Sequence, residues 1–338
     1  MDTRLIKVLP LGKTTIKNNN KHNRFLLFIN KQLKYYKHTI TYSAMSENNV
    51  WSFEQPPLPE PQTQQVNMNA NIHQYLLTNK PTLIILTPCY NSSLYAGYTE
   101  SLLKTMFMCK DLNIPTTVYF CRNDSLVSRA RNNLIAKAMN ILDATHFLFI
   151  DADITWDPQD ILKLLLSDKP IVGGIYPIKN YQWEKVVENP DMIRQLLDRK
   201  KKSQIDSLVS NDEYVKMNMV RYNINYVSNM LSIQNNLTKV RHLATGFMMI
   251  KRSVIETMAR AFPQTKYVDD VGFLSGKENE HAFALFDCGV EEGHYFSEDW
   301  LFCHRWSKMG GSIFANVSIN LDHTGIETYK GSFISSIM

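Results

Sequence analysis

Residues 146–155 read His-Phe-Leu-Phe-Ile-Asp-Ala-Asp-Ile-Thr, a short apolar run that ends in two aspartates one residue apart. The run has the length and composition of a buried strand. On extended backbone, residues i and i+2 face the same side, so Asp151 and Asp153 project together, roughly 7 Å apart at the usual rise. Two ionised carboxylates that close raise each other's pKa unless a cation lies between them. A hard divalent ion with oxygen ligands suits that place. Metal-assisted chemistry on a phosphorylated substrate is therefore the first expectation. An isolated Asp-x-Asp can instead cap the next helix, and Asp157-Pro158 reads as such a start.

Other residues bear on that choice. His323 follows an apolar strand and precedes Thr324-Gly325. Alone it reads as a structural histidine; beside a metal-seeking Asp pair it reads as a distant ligand completing the shell. In Ser297-Glu298-Asp299-Trp300, two acids open a helix with Ser297 at the N-cap, and acids there suit the helix dipole. The functional alternative makes one of them a general base for an attacking hydroxyl. Adjacent helical residues point in different directions, so one acid alone takes that role: Asp299, with Glu298 orienting or contacting the acceptor. In Ser128-Arg129-Ala130-Arg131-Asn132, the two arginines cannot share a helix face; one can reach a diphosphate while the other faces solvent. Gly246, within Ala244-Thr245-Gly246-Phe247, sits in the middle of a predicted strand, where it permits close approach by a ligand or makes a bulge.

These residues need a scaffold, and the chain is long enough to build one. Its 338 residues, 44% hydrophobic and 20% charged, suit a soluble globular protein of one large domain or two small ones. No stretch of about 18 or more apolar residues occurs, so no spanning helix is expected, and the N-terminus lacks a signal-peptide pattern. Five cysteines, an odd count with no Cys-x-x-Cys, argue against a zinc site or disulfide framework and for a reducing, cytoplasmic setting. Residues 1–50 hold nine Lys/Arg against two Asp/Glu, net +7; the whole chain is +5, so the remainder is net −2. The basic leader can touch an anionic membrane or a partner weakly. No nucleic-acid-binding motif is present, and no specific nucleic-acid partner is expected.

The leader and the Pro/Gln/Asn-rich stretch after it form an N-terminal extension, 1–71, expected to be flexible and partly disordered. Strand and helix patterns then alternate: strand 82–87, helix 98–110, strand 116–121, helix 125–142 with Asp124 as N-cap, strand 146–150, helix 158–166, strand 170–176. Such repetition implies an α/β fold with a parallel sheet and helices on both faces. Ligands then bind at the carboxyl ends of the strands, where Asp151 and Asp153 fall. Residues 181–240 are polar and read as an insertion or mobile subdomain. Strand 241–250, helix 253–261, helix 297–309 and strand 312–315 complete residues 72–338.

Together, Thr87-Pro88-Cys89-Tyr90-Asn91, Ala130-Arg131-Asn132, FLFIDADITWDP, IVGGIYP, ATGFMMIKRS, SEDWLFCHRW and the tail from His323 to Gly331 resemble a glycosyltransferase of the GT-A fold. The likeness is to family-2-like enzymes of large DNA viruses and bacteria, and it covers roughly 81–333. The resemblance implies a Rossmann-like, mostly parallel central sheet flanked by helices. It assigns Asp151, Asp153 and His323 to Mn²⁺ or Mg²⁺. It puts Pro88, Tyr90, Asn91, Arg129, Asn132, Asp151, Ala152, Gly246 and Lys330 at the nucleotide sugar, and Asp299 with Glu298 at the catalytic position. One departure is Cys121-Arg122-Asn123-Asp124, where family 2 commonly has Asp-Asp-Gly-Ser.

The expected reaction is transfer of a sugar from a UDP sugar to a hydroxyl of a glycan or protein acceptor, with inversion and Asp299 as base. Two rivals stand. In a haloacid-dehalogenase-like phosphohydrolase, Asp151 attacks phosphorus and Asp153 is the acid/base. The other is a non-catalytic sugar-nucleotide or glycan-binding protein. A cytoplasmic location, the host cytoplasm or the virion for a viral protein, fits all three.

Overall fold

A computed structural model describes residues 41–43, 72–203, 209–228 and 230–327. The rest of the expected N-terminal extension, and Lys330, lie outside the described residues. In chain order the elements are β1 (Thr41–Ser43), α1 (72–79), β2 (Leu83–Cys89), α2 (Ala96–Asp111), β3 (Thr116–Arg122), α3 (Val127–Met139) and β4 (His146–Ile150). Next come β5 (Ile154–Thr155), α4 (Pro158–Ser167), β6 (Ile171–Gly173), β7 (Pro177–Tyr181), α5 (Glu184–Glu188), α6 (Met192–Lys201), α7 (Asn211–Asn218) and β8 (Val220–Tyr222). β9 (Ile224–Tyr226), β10 (Met230–Gln234), β11 (Leu237–Leu243), β12 (Phe247–Lys251) and α8 (Arg252–Ala261) follow. The chain closes with β13 (Gly289–Glu291), β14 (His294–Phe296), α9 (Glu298–Lys308), β15 (Ile313–Asn316) and β16 (Asp322–His323).

The main sheet has the order β1-β10-β11-β15-β6-β12-β4-β2-β3, with β9 against β11. β2 is parallel to β3 and β4, and β15 to β6. β12 lies antiparallel between β4 and β6. Thus β3, β2, β4, β6 and β15 all run one way, with β12 reversed among them: a mixed but mostly parallel sheet flanked by helices.

Alternation along the strands fills a core on each face. Ile84, Leu86, Phe147 and Phe149 pack with Leu134 of α3, Val254 of α8 and Phe302 of α9. Leu83, Ile85, Leu148 and Ile150 pack on the other side with Tyr98 of α2 and Ile161 of α4. All five residues of β4 are buried. At about 1.5–3 kcal/mol for each large apolar side chain removed from water, this strand is a firm base for the Asp-x-Asp turn at its carboxyl end.

Four expectations need correction. The run 241–250 is two strands, not one: the chain keeps its direction through Ala244–Gly246 but exchanges β15 for β4 and β6 as neighbours. The strand expected at 170–176 is confined to Ile171–Gly173. α3 starts later than expected, with Leu126 as N-cap; Asp124 accepts from Leu126 N at 3.0 Å and holds Arg129 instead. The polar stretch 181–240 is not one inserted unit. β7 and β8 pair with each other apart from the main sheet, whereas β9, β10 and most of β11 belong to the main sheet.

The expected cap at Asp157 is present. Its side chain accepts from Gln159 N, Asp160 completes a reciprocal capping box and Pro158 occupies the first turn. That cap leaves Asp151 and Asp153 without a capping role. The five cysteines are free. Among the described residues, no helix is long and apolar enough to cross a membrane.

Candidate active site

Past β4 the chain turns sharply. Asp151 N donates to Gly246 O at 3.0 Å, and Ile154 N to Asp151 O at 3.1 Å. The turn delivers β5, which pairs antiparallel with β16: Asp322 faces Thr155 and His323 faces Ile154. Thr324 N donates to Asp153 O at 2.9 Å. This short ladder brings His323 to Asp153 across 170 residues of sequence.

The imidazole is oriented by its second nitrogen. His323 Nδ1 lies 2.8 Å from Pro177 O, and a carbonyl oxygen only accepts, so Nδ1 carries the proton. Nε2 is the nitrogen left to face Asp153 Oδ2, 3.5 Å away. The edge contact between the Tyr176 and His323 rings, centroids 5.1 Å apart, fixes the ring plane. Lys179 of β7 donates its ammonium to the same Oδ2. Burial works against the Asp153 charge, but the hydrogen bonds from His323 and Lys179 prevail and hold this carboxyl below the usual range.

A ring nitrogen and a carboxylate oxygen that face each other take a cation between them, a proton or a metal ion. One carboxylate and one imidazole held from behind by a carbonyl is a donor set that Mn²⁺ accepts. The expected third ligand is not with them. Asp151 Oδ1 instead accepts from Arg131 Nη2 at 3.1 Å. Among the described residues, no group of three or more His, Cys, Asp or Glu side chains converges. The residues present thus fit a divalent ion held by two protein ligands, with its remaining positions left to substrate and water.

Arg131 joins the two acidic elements. Its side chain is only 5% exposed, and Nε donates to Glu298 Oε1 at 3.2 Å. The guanidinium lies over the Phe149 ring at 5.3 Å, and Nη1 has no partner. Asp299, the next residue on α9, accepts from Ser297 Oγ and from Trp300 N at 2.9 Å. Burial, and then the Glu298 charge, raise the Asp299 carboxyl above its ordinary value, with Ser297 opposing. Ser297 does stand at the N-cap, but its hydroxyl serves Asp299 and caps no backbone group.

The remaining expected residues divide. The Pro88–Asn91 loop lies at the carboxyl end of β2, where Cys89 O accepts from Ser92 N and Asn123 N at 3.1 and 3.0 Å. Tyr90 is exposed there. Nearby, Asp124 binds the guanidinium of Arg129 through three hydrogen bonds. Burial opposes the Asp124 charge, yet Arg129 and the Leu126 amide pull its pKa down. So Arg129 is engaged by Asp124, and Arg131 is the arginine that meets the Asp-x-Asp turn. Asn132 is buried with its amide clamped to the Phe286 backbone, Nδ2 to O at 2.7 Å and Oδ1 from N at 2.9 Å; its hydrogen-bonding capacity serves the fold. Ala152 O accepts from Tyr95 N at 3.1 Å. Gly246 does admit a close neighbour, but that neighbour is the Tyr176 ring: a Cβ at 246 would lie 2.7–2.8 Å from it.

Arg131, Lys179 and Tyr176 are the site residues that sequence reasoning left unassigned. A signal for Arg131 was present. It shares the helical stripe of Leu134, Ile135 and Ala138, all buried, whereas Arg129 does not. For Lys179 there is none, because β7 pairs with β8 apart from the main sheet and meets Asp153 from a distant part of the chain.

No protein-family model and no curated protein matches the sequence. Among solved structures, the chain is similar to A197 from STIV: 14% identity, 72% of this chain and 86% of that one covered, TM-score 0.38. It is also similar to the inositol-1-phosphate CTP transferase from T. maritima: 8% identity, 76% and 94% covered, TM-score 0.34. Likenesses this distant do not assign an activity.

Proposed function

We propose that this protein is a metal-dependent glycosyltransferase that moves a sugar from a nucleotide-diphosphate sugar, in the first instance a UDP sugar, to a hydroxyl of a glycan or protein acceptor. The observation that carries this reading is the Asp153–His323 pair, built by the β5–β16 ladder, with Nδ1 of the imidazole engaged by Pro177 O and Nε2 facing the carboxylate. Asp153 and His323 would hold Mn²⁺ or Mg²⁺, which when bound stabilises the charge that develops on a diphosphate leaving group. Asp151 is kept out of that pair by Arg131 and is better placed to meet the ribose of the donor. The Pro88–Asn91 loop and the neighbouring Asp124–Arg129 pair flank the nucleoside.

Asp299 accepts the proton of the acceptor hydroxyl as that hydroxyl attacks the anomeric carbon opposite the departing diphosphate, giving inversion. Its raised pKa suits a base more than that of an ordinary surface aspartate would. Glu298, held by Arg131, orients the acceptor.

The phosphohydrolase alternative needs the Asp151 carboxylate free to attack phosphorus, and the bond from a buried guanidinium counts against that. The deciding assay follows release of UDP from a panel of UDP sugars with and without Mn²⁺, beside phosphate release from a generic phosphomonoester. Mn²⁺-dependent UDP release supports the transferase. Phosphate release alone supports the hydrolase, and binding without turnover supports a sugar-nucleotide-binding protein.

A further inference from the structure

Lys179 is the one feature of this site that a metal centre does not require. Its ammonium donates to Asp153 Oδ2, the same oxygen that faces His323 Nε2. The contact is not a chance surface pair. β7 supplies the Pro177 carbonyl that fixes His323 and, two residues on, the lysine itself. On the far side, Gly325 packs against the lysine stem so closely that a Cβ at 325 would meet Cδ at 2.6 Å. The tail that brings the histidine therefore also steers the lysine.

We propose that Lys179 is a tethered cation that competes with the divalent ion for Asp153: it neutralises the carboxylate in the metal-free protein, yields the oxygen when a divalent ion binds, and then meets the anionic diphosphate of the donor. The inference rests on the metal-dependent reading above and adds a positioning residue to it. The side chain is 37% exposed, which leaves the ammonium room to move off the carboxylate. Two positive charges at one carboxylate oxygen repel each other, and that repulsion favours the exchange.

The test uses the full chain and measures binding, not turnover. Free Mn²⁺ is titrated by electron paramagnetic resonance into the wild type, Lys179→Met and Asp153→Asn, and metal-free UDP binding is measured by calorimetry. Methionine keeps an unbranched stem against Gly325 and removes only the charge. The expected result is Mn²⁺ affinity about two- to fivefold tighter in Lys179→Met, as for loss of an exposed ion pair, with weaker metal-free UDP binding and with Mn²⁺ binding lost in Asp153→Asn. Mn²⁺ affinity unchanged or weaker in Lys179→Met, while the wild type binds the ion, would overturn the competition and leave the metal site standing. Mn²⁺ binding in neither protein would overturn both this inference and the metal-dependent reading.

Discussion

Replacing Arg131 by methionine tests whether the link between Asp151 and Glu298 is as the structure draws it. The guanidinium is 5% exposed and bridges Glu298, 12% exposed, and Asp151, 29% exposed. Methionine fills much of the volume over Phe149 but leaves both carboxylates without their counter-charge. Breaking a buried ion pair from one side costs about 3–5 kcal/mol, because the remaining charge is stranded. Asp151 is exposed enough to be rehydrated, so most of the cost falls on Glu298 and the lower end, about 3 kcal/mol, applies. At roughly 2–4 °C per kcal/mol for a domain of this class, Tm falls by about 6–12 °C. Glu298→Gln removes the stranded charge, so the double variant Arg131→Met/Glu298→Gln is expected to recover part of that loss, a coupling of about 1–3 kcal/mol. Urea and thermal unfolding of the four proteins, followed by circular dichroism, complete the cycle. Additive effects, or an Arg131→Met loss under about 0.5 kcal/mol as for an ordinary surface change, would show that the bridge is not what holds α9 to the Asp-x-Asp turn.

Asp299→Asn should abolish sugar transfer while leaving UDP affinity within about threefold, less than the tenfold that 1.4 kcal/mol makes; loss of UDP binding by calorimetry would remove Asp299 from the acceptor side. Because burial raises the Asp299 pKa, the wild-type rate should fall with decreasing pH through a midpoint above the ordinary Asp value of about 4, and a limb at or below that value would count against Asp299 as base. Gly246→Ala should cost about 1–3 kcal/mol through its clash with the buried Tyr176 ring; an unchanged melting temperature would mean that the ring yields freely. Burial, with Lys251 and Arg241 respectively as the next causes, holds His146 and His242 down at about 4, against 6.5 for a free imidazole. The unfolded chain therefore binds more protons between those values, so stability is full above pH 6.5 and is lost as pH falls toward 4. Urea midpoints at pH 7.5 and 5 check this, with a smaller difference expected for His242→Phe, which keeps the stack on Trp300.

The sequence conveyed local structure well where a single strand or helix decides it. His146–Ile150 is the strand that its apolar run predicts, and Asp157-Pro158 caps the helix that its residue types predict. It conveyed partner choice poorly. The run 241–250 reads as one strand because residues 242–250 are all buried, and Gly246 signals a bulge or a close approach without naming the neighbours that change there. The same limit applies to the site. Asp-x-Asp declares itself at close range, but which aspartate meets the histidine depends on β16, two residues long, and on a guanidinium from another helix. Arg129 and Arg131 look equivalent as residue types; only their places on the helix, one beside Asp124 and the other on the buried stripe, separate them.

Arg131 also divides the labour between the two aspartates. By binding Asp151 and Glu298 together, one buried charge engages Asp151 and links the start of α9 to the end of β4. Asp153 keeps the imidazole and Lys179, both supplied by the β7–tail side of the site. The carboxylates that looked alike in sequence thus belong to two electrostatic groups. One is anchored in the core over Phe149; the other is partly exposed and supplied with an exchangeable cation. An exchangeable counter-charge suits a position where a metal ion and a diphosphate arrive and leave in each turnover, and a buried fixed one suits a position that must not move while they do. Asp153 is therefore the carboxylate whose partners change during the proposed reaction, and Asp151 the one whose partner stays.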